Sequence, residues 1–301
     1  GDGADGGGAD GGAGGSGDGG GAPLCDAAPC VFIGAHVLAS WSYDFTAAPP
    51  DQLTKMCYDM FILSGVVDYF ALNITLLGNL IAAVASNYHD MPYHNFNHAC
   101  HVLHSVWMVL RAPSAQAALT MEDQLGVMLA ALCHDLDHDG RSNSYHVNTQ
   151  SELARLYNDT SVMENHHCAL AFDLLARKEC ALLDGLCRDT QRTLRRVIVG
   201  CILSTDMASH FSLTQDFCKH PVEFDANVDA DRLLLGKVVL HACDIGGAVR
   251  PFDVSAQLSR RVHREFEALA AEEAALGIPV TLDIDTSDPT VADQMEVNFI
   301  D

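Results

Sequence analysis

The sequence is poor in basic side chains. It has only 17 Lys and Arg against 40 Asp and Glu, so its formal net charge is −23 over 301 residues. A field of this sign repels phosphate backbones, and the composition therefore argues against a nucleic-acid partner. A small anionic substrate would need cations concentrated at its own binding site.

Paired cysteine motifs are also lacking. The eleven cysteines are an odd number, none belongs to a Cys-x-x-Cys motif, and several stand singly in apolar stretches. This pattern favours reduced, buried thiols over a disulfide framework, so we expect an intracellular, cytoplasmic protein. Membrane association through regions outside this sequence stays open, and the sequence does not indicate an oligomeric state.

Alternating apolar and polar residues, the pattern typical of strands, are absent over any run of strand length. Nearly every segment beyond residue 22 shows the helical period instead, and 49% of the residues are apolar, enough for a large core. We therefore predict an all-α, compact multi-helix bundle over residues 23–301. The Gly-, Ala- and Asp-rich residues 1–22 carry no large apolar side chain and are predicted to form a disordered tail.

Residues 61–86 are long and apolar enough to suggest a membrane span. Asp68, Asn73 and Asn79 interrupt the stretch, and a charge at the middle of a bilayer is unfavourable. We therefore predict one or two buried helices here, and no membrane segment in this chain.

Two helices are predicted to end at acidic or histidine-rich segments. Thr120 and Asp123 can cap the start of one helix, which we expect to continue into "HDLDHDG" and to stop at Gly140. Another apolar stripe ends at Asp244. Helix ends from distant parts of a bundle can meet at one pocket, so these acidic ends are candidates for a shared site.

Two further helices are predicted near the end of the sequence. Residues 253–276 are heavily charged on one side, which is typical of a surface helix. Asp288 followed by Pro289 is a favourable start for the last helix.

Histidine is concentrated in one part of the sequence. Residues 93–104, "YHNFNHACHVLH", contain four histidines, and His134 and His138 follow in "HDLDHDG". His94 and His98 are four residues apart, so on a helix they would share a face, and the second pair has the same spacing. One such pair alone is more often structural than metal-binding.

The two pairs together with nearby carboxylates favour a metal site. The candidate ligands are His98, His134, Asp135 and Asp244. A mixed set of nitrogen and oxygen donors suits Zn²⁺, or Fe²⁺ or Mn²⁺. A shared carboxylate can hold a second, harder ion such as Mg²⁺, which keeps most of its waters.

Four segments carry a family resemblance. In this order they are "YHNFNHACHV", "HDLDHDGRSNSYHVNTQSELARLYNDTSVMENHH", "ILSTDMASH" and "HACDIGG". They resemble the signature segments of the catalytic domain of class I 3′,5′-cyclic-nucleotide phosphodiesterases, and the similarity runs from about Trp41 to the end of the chain. The resemblance implies an HD-type helical fold. It also implies a signalling hydrolase that opens cAMP, cGMP or both to the nucleoside 5′-monophosphate.

The resemblance implies two divalent ions. Its tight zinc site falls on the four candidate ligands named above, and Asp135 would bridge to Mg²⁺ or Mn²⁺ at a second site. His138, Glu164 and Thr205 would surround the waters of that second ion. The two cations would generate hydroxide from a water between them and hold the cyclic phosphate for in-line attack.

A proton donor is implied as well. His94 matches the family's general acid, which protonates the ribose O3′ as it leaves, and its orienting carboxylate is expected to be Glu164. Tyr93 is expected at the substrate. The other histidines of this region are expected to pack or to support the site: His101, His104, His146, His166, His167 and His210.

The sequence departs from the family pattern at three places. After the last metal ligand the family usually has Asn and Pro where this chain has Gly247 and Ala248, so we expect one polar contact to the nucleotide to be missing. The family domain also continues beyond the final "FID", and we expect the chain to be truncated there.

The third departure concerns recognition of the base. The family places a Gln three residues before a stacking Phe, whereas here that position is Glu296 before Phe299, and Gln294 is out of register by two. Either a local insertion places Gln294 at the base, or Glu296 contacts the base. A carboxylate accepts both N–H groups on the guanine edge, so the second case favours cGMP. For Phe299, packing in the core is an equal alternative to stacking on the base.

Two other functions stay open at this point. One is an HD-type phosphohydrolase that acts on non-cyclic nucleotides, because the same ligand set would serve it. The other is a non-catalytic sensor that binds cyclic nucleotides without turnover.

Overall fold

The structure, a computed structural model, describes residues 32–220 and 224–282. Within these ranges there are helices and turns and no strand, so the all-α prediction is confirmed. The α-helices are α1 (Ala35–Leu38), α2 (Pro50–Leu63), α3 (Val66–Tyr69), α4 (Ile74–Ala85), α5 (Phe96–Leu110), α6 (Pro113–Ala118), α7 (Met121–Cys133), α8 (Asn143–Asn148), α9 (Glu152–Tyr157), α10 (Val162–Ala176), α11 (Arg188–Leu203), α12 (His210–Lys219), α13 (Asp229–Asp244) and α14 (Phe252–Leu276). The predicted tail and the predicted last helix lie outside the described residues.

Helix α7 lies at the centre of the bundle, packed against α5, α11 and α13. All its residues from Asp123 to Cys133 are buried, because from Leu125 onward the helix is apolar or small on every side and Asp123 and Gln124 have hydrogen-bond partners. The predicted cap is present at its start: Thr120 Oγ1 accepts from the Asp123 backbone N–H at 3.2 Å, and the Asp123 carboxylate accepts from the Thr120 N–H at 3.0 Å.

The end of α7 differs from the prediction. The helix ends at Cys133 rather than continuing to Gly140. Asp137 takes a left-handed φ of 62°, which takes the chain out of the helical path, and Gly140 follows with a φ of 76°. His134 therefore begins a turn and His138 lies just beyond it, so the two do not share a helical face.

The start of α5 corrects a second prediction. The Asn95 side chain accepts hydrogen bonds from the backbone N–H groups of Asn97 and His98, so the helix begins at Phe96 and His94 precedes it. His94 and His98 consequently share no helical face. Their rings are nevertheless neighbours, with centroids 5.7 Å apart.

The last two described helices form one side of the site. Helix α13 ends at Asp244, as predicted. Helix α14 begins at Phe252 and ends before Gly277, whose φ of 68° suits a helix stop, so the prediction for residues 253–276 is confirmed.

The apolar stretch at residues 61–86 is divided among the end of α2, α3 and α4, with a left-handed Gly65 between the first two. Among the described residues no single helix is both long and apolar enough to cross a membrane; one pair, α11 with Met207–Lys219, meets that test by length and composition but is bent by 88°. The cysteines in the described ranges are free, as expected.

Candidate active site

Four side chains from three separate segments converge where α5, α7 and α13 meet. The donor-bearing residues are His98, His134, Asp135 and Asp244. The Nε2 atoms of His98 and His134 lie 3.1 Å apart, and Asp244 Oδ1 lies 3.0 and 3.2 Å from them. Asp135 Oδ2 lies 3.4 and 3.3 Å from the same two nitrogens.

These distances fit a metal ion better than a hydrogen-bond network. Zinc bonds of 2.0–2.1 Å in a tetrahedron place neighbouring donor atoms about 3.3–3.4 Å apart, close to the observed spacing. Asp135 Oδ2 is buried and has no hydrogen-bond partner within the described ranges. His134 Nδ1 lies 2.9 Å from the Ala131 carbonyl and donates to it, so Nε2 is the nitrogen that faces the cluster and would bind a metal ion in place of a proton.

The electrostatics of the cluster point the same way. Burial lowers the pKa of His134, but Asp135 and Asp244 outweigh burial and raise it well above its ordinary value. Burial raises the pKa of Asp135, and His134 more than reverses this, so the carboxyl stays anionic. Two anionic carboxylates held in a buried place bind either a proton or a cation, and a divalent ion satisfies both carboxylates at once.

His94 is held by a carboxylate other than the expected Glu164. Glu265, on α14, contacts His94 Nδ1, and its other oxygen accepts from the backbone N–H groups of Tyr93 and His94 at 3.0 and 3.1 Å. Burial lowers the pKa of His94, but the hydrogen bond to Glu265 and the charges of Asp135 and Glu265 raise it above its ordinary value. The imidazole is thus held as a proton donor.

The prediction that Glu164 orients His94 is wrong. Both Glu164 oxygens accept hydrogen bonds from Asn143 Nδ2, at 3.2 and 2.9 Å, and Asn143 also accepts from the Met163 N–H. Burial raises the pKa of Glu164 to about 7, with Asp206 adding to the rise. Glu164 lines the same cavity as His94 but is fixed by a different partner.

A sequence signal for Glu265 did exist. The buried positions of α14 are Val254, Leu258, Glu265, Leu269 and Glu273, so two acids fall on the apolar stripe of an otherwise surface-exposed helix. A buried charge on such a stripe is uncommon unless it has a partner. The stripe could have identified both glutamates as candidates, but it could not have identified His94 as the partner of Glu265.

His138 lies between the two groups. Its ring stacks on His94, with centroids 4.1 Å apart, and it lies 5.7 Å from the ring of His167. Burial lowers the pKa of His138 to about 3, so it stays neutral. His167 donates through Nδ1 to the Leu136 carbonyl, and its Nε2 lies 3.9 Å from Asp135 Oδ1. His167 is therefore closer to the metal cluster than a packing residue would be.

The cluster opens onto a cavity of about 530 Å³, a typical size for a small-molecule site. Tyr93, Thr205, Gly247 and Ala248 line it, the last two from the first of the three departures from the family pattern. Its wall also carries five carboxyl residues: Asp135, Glu164, Asp206, Asp244 and Glu265. Glu296, Gln294 and Phe299 lie outside the described residues.

A helical bundle with a two-His, two-Asp cluster beside a His–Glu pair is the arrangement expected of a metal-dependent hydrolase. A sequence profile described as "3′5′-cyclic nucleotide phosphodiesterase" matches residues 93–301. The chain therefore belongs to the 3′,5′-cyclic-nucleotide phosphodiesterase family, and a dependence on divalent metal follows from the family and the cluster together.

Curated relatives and a solved structure agree with this assignment. The chain is 36% identical to the 3′,5′-cyclic-nucleotide phosphodiesterase regA of Dictyostelium discoideum, over 88% of the chain and 34% of that protein. It is 32% identical to the human high affinity cGMP-specific 3′,5′-cyclic phosphodiesterase 9A, over 86% of the chain and 44% of that protein. The chain thus spans less than half the length of either relative.

The fold is similar to that of the phosphodiesterase domain of the RhoPDE fusion protein from the choanoflagellate Salpingoeca rosetta. The TM-score is 0.84 at 34% identity, with 88% of this chain and 85% of that chain covered.

Proposed function

We propose that this domain hydrolyses 3′,5′-cyclic nucleotides to nucleoside 5′-monophosphates. The observation that carries the proposal is the joint opening of the His/Asp cluster and the His94–Glu265 pair onto one cavity. A cation site and a proton donor facing the same space are what the opening of a cyclic phosphodiester requires. The names of the relatives identify them as enzymes of this reaction.

We infer that the tight site holds Zn²⁺ and that Asp135 shares a second ion, Mg²⁺ or Mn²⁺. Two bound ions would supply an activated water and neutralise charge on the phosphate. His138 and Thr205 line the cavity beside Asp135 and suit the waters around a second ion. Glu164 also lines the cavity wall and would contact the waters of the second ion. Asn143 fixes the orientation of its carboxylate.

His94 would act on the leaving group. Water gives up a proton to solvent and attacks phosphorus, the bond from phosphorus to O3′ breaks, and O3′ takes a proton from the His94 imidazole, which regains one from solvent. Glu265 holds the ring through Nδ1, which leaves Nε2–H for the substrate. Tyr93 packs against this ring, with centroids 4.9 Å apart, and limits its rotation.

The charge of the cavity explains why metal would be needed for binding as well as for chemistry. Five carboxyl residues line the cavity, whereas the lining cation Arg141 is paired with Asp139 and Glu272. An anionic cyclic phosphate would be repelled by this wall without bound cations. We therefore expect substrate affinity, and not only turnover, to depend on metal.

The choice between cAMP and cGMP belongs to Glu296, Gln294 and Phe299 in this proposal. Glu296 as an acceptor favours guanine, and Phe299 is the candidate stacking ring. Turnover of cAMP and cGMP by the wild-type protein and by Glu296→Gln tests this preference. We expect the substitution to shift the ratio toward cAMP, and an unchanged ratio would remove the hypothesis.

The function itself is tested by assaying both cyclic nucleotides with Zn²⁺ and with Mg²⁺ or Mn²⁺ supplied, alongside metal analysis. We expect release of 5′-monophosphate that disappears with a chelator and returns with added metal. Binding without turnover would identify a non-catalytic sensor. Turnover of non-cyclic nucleotides alone would identify a different phosphohydrolase.

The free thiols of the described residues are consistent with an intracellular setting, which we infer for the protein.

A further inference from the structure

The segment that joins α11 to α12 forms part of the cavity wall. The cavity is lined from this segment by Thr205, Asp206, Met207 and Ala208. The Thr205 hydroxyl donates to the Ile202 carbonyl at 2.8 Å, so its oxygen can still accept a hydrogen bond. Water bound to a divalent ion is a strong donor, and the Thr205 oxygen therefore suits the waters of the proposed second ion.

The start of this segment is tied to α13 by one imidazole. His241 Nδ1 donates to the Ser204 carbonyl at 2.8 Å, and the Ser209 hydroxyl lies farther from the same oxygen, at 3.4 Å. Ser204 follows the last residue of α11, where carbonyl groups have run out of helical partners. His241 and Ser204 are both buried, so loss of the imidazole would leave the carbonyl with only the long contact.

A second histidine fixes the state of the first. His210 begins α12, and its Nδ1 lies 2.8 Å from His241 Nε2. A carbonyl only accepts, so the proton of His241 is on Nδ1. Burial lowers the pKa of His241, which keeps the ring neutral and leaves Nε2 as an acceptor. His210 therefore donates through Nδ1 and holds both the tautomer and the orientation of the His241 ring.

The helix that carries His241 also carries a residue of the metal cluster. His241 and Asp244 are three residues apart on α13, so they lie on the same side of that helix. Asp244 belongs to the four-residue cluster, whereas His241 holds the wall that carries Thr205. One helix thus fixes the spacing between the tight metal site and a residue that we place at the waters of the second ion.

We propose that His241 is a positioning residue for the second metal ion, acting through Ser204 and Thr205, and that His210 holds His241 in place. The inference rests on the two-ion part of the proposed function. It gives neither histidine a contact with the substrate. The quantity that should depend on them is the affinity of the second ion, because groups that support the surroundings of an ion change that affinity by about 10-fold to 100-fold.

The test is calorimetric binding of Mn²⁺ to the zinc-loaded protein, with zinc content and activation by Mn²⁺ measured in parallel. In His241→Leu we expect the Kd for Mn²⁺ to rise about tenfold, while zinc content stays at the wild-type level. The kcat at saturating Mn²⁺ should stay within about threefold of wild type. His241→Asn can place an amide donor where Nδ1 was and should restore most of the affinity.

The role of His210 has a test of its own. His210→Ala, at a half-buried position, should raise the Kd for Mn²⁺ about threefold, because the His241 ring is then free to turn. Since His210 acts through His241, the double variant should bind Mn²⁺ no more weakly than His241→Leu alone. Additive losses would overturn the role given to His210. Ala242→Ser is the matched control, an exposed neighbour on α13, and should leave every value unchanged.

An unchanged Kd for Mn²⁺ in His241→Leu would overturn the inference. A matching loss of zinc would overturn it too, because His241 would then support the site as a whole. If His241→Leu does not fold, His210→Ala decides by the same measurement, and an unchanged Kd there would overturn the inference. Calorimetry needs no turnover, so failure to hydrolyse cyclic nucleotides would contradict the proposed function while the Kd values still decide the inference. A wild type that binds no second ion would overturn the inference and the two-ion site together.

Discussion

The two ends of the histidine-rich segment use the same residue type in opposite ways. At one end, His94 and His98 face the carboxylates of α13 and α14. One and two turns further along α5, His101 and His104 pack against the ring of Phe45. His104 Nε2 also donates to the Leu38 carbonyl at 2.6 Å. The rings are alike, but their neighbours differ completely.

The neighbours decide the charge of each ring. Burial lowers the pKa of His101 to about 2 and that of His104 to about 4, with Arg250 adding to both effects. His94 is half-buried, yet the hydrogen bond to Glu265 raises its pKa above the ordinary value. Burial alone therefore makes a histidine a neutral packing group, and burial beside a carboxylate makes it a proton donor.

The largest effect is expected from removing a ligand of the metal cluster. Asp244→Ala leaves three of the four converging side chains. We expect metal affinity to fall by at least about a hundredfold, the upper range for residues that only support ligands, and turnover to fall with it. Metal analysis after dialysis and kcat measure this. Full retention of zinc by the variant would contradict the assignment.

The next effect concerns the proton donor. His94→Ala should lower kcat by about 10² to 10⁴ while the metal content stays at the wild-type level, because His94 lies outside the four-residue cluster. Kinetics with parallel metal analysis give both values. A loss smaller than about threefold would show that another group protonates the leaving oxygen.

A smaller change should follow from Glu265→Gln. The protonated His94 is the active form, and its pKa is raised, so activity is present below that pKa and is lost as the pH rises through it. Removing the Glu265 charge lowers the pKa of His94. The basic limb of the kcat profile should therefore move to lower pH, and a limb that stays in place would contradict the role given to Glu265.

The smallest effect on activity is expected at the other end of α5. His104→Leu removes the hydrogen bond to the Leu38 carbonyl and leaves that oxygen buried. We expect the free energy of unfolding to fall by about 1–3 kcal/mol, with kcat within about twofold of wild type. Denaturant unfolding and a standard assay measure the two quantities. A loss of turnover like that of His94→Ala would erase the distinction between the two ends.

Local interactions could be predicted from the sequence. The capping of α7 by Thr120 and Asp123 depends on residues three apart, and the extent of α14 follows from its helical period. The cluster of His and Asp residues was also recoverable, because its ligand types and their order along the chain form a distinctive pattern. The ends of helices were predicted less well, since Asp137 and Asn95 redirect the chain by single-residue geometry.

The sequence by itself determined the helical class, the family and the identity of the donor atoms, because these depend on residue type and on spacing within segments. Tertiary structure alone decided that Glu265 and not Glu164 holds His94, since His94 and Glu265 are 171 positions apart. It likewise decided which imidazoles meet carboxylates and which meet apolar rings. Such pairings follow from how the helices pack, and packing is set by the whole core rather than by any local stretch.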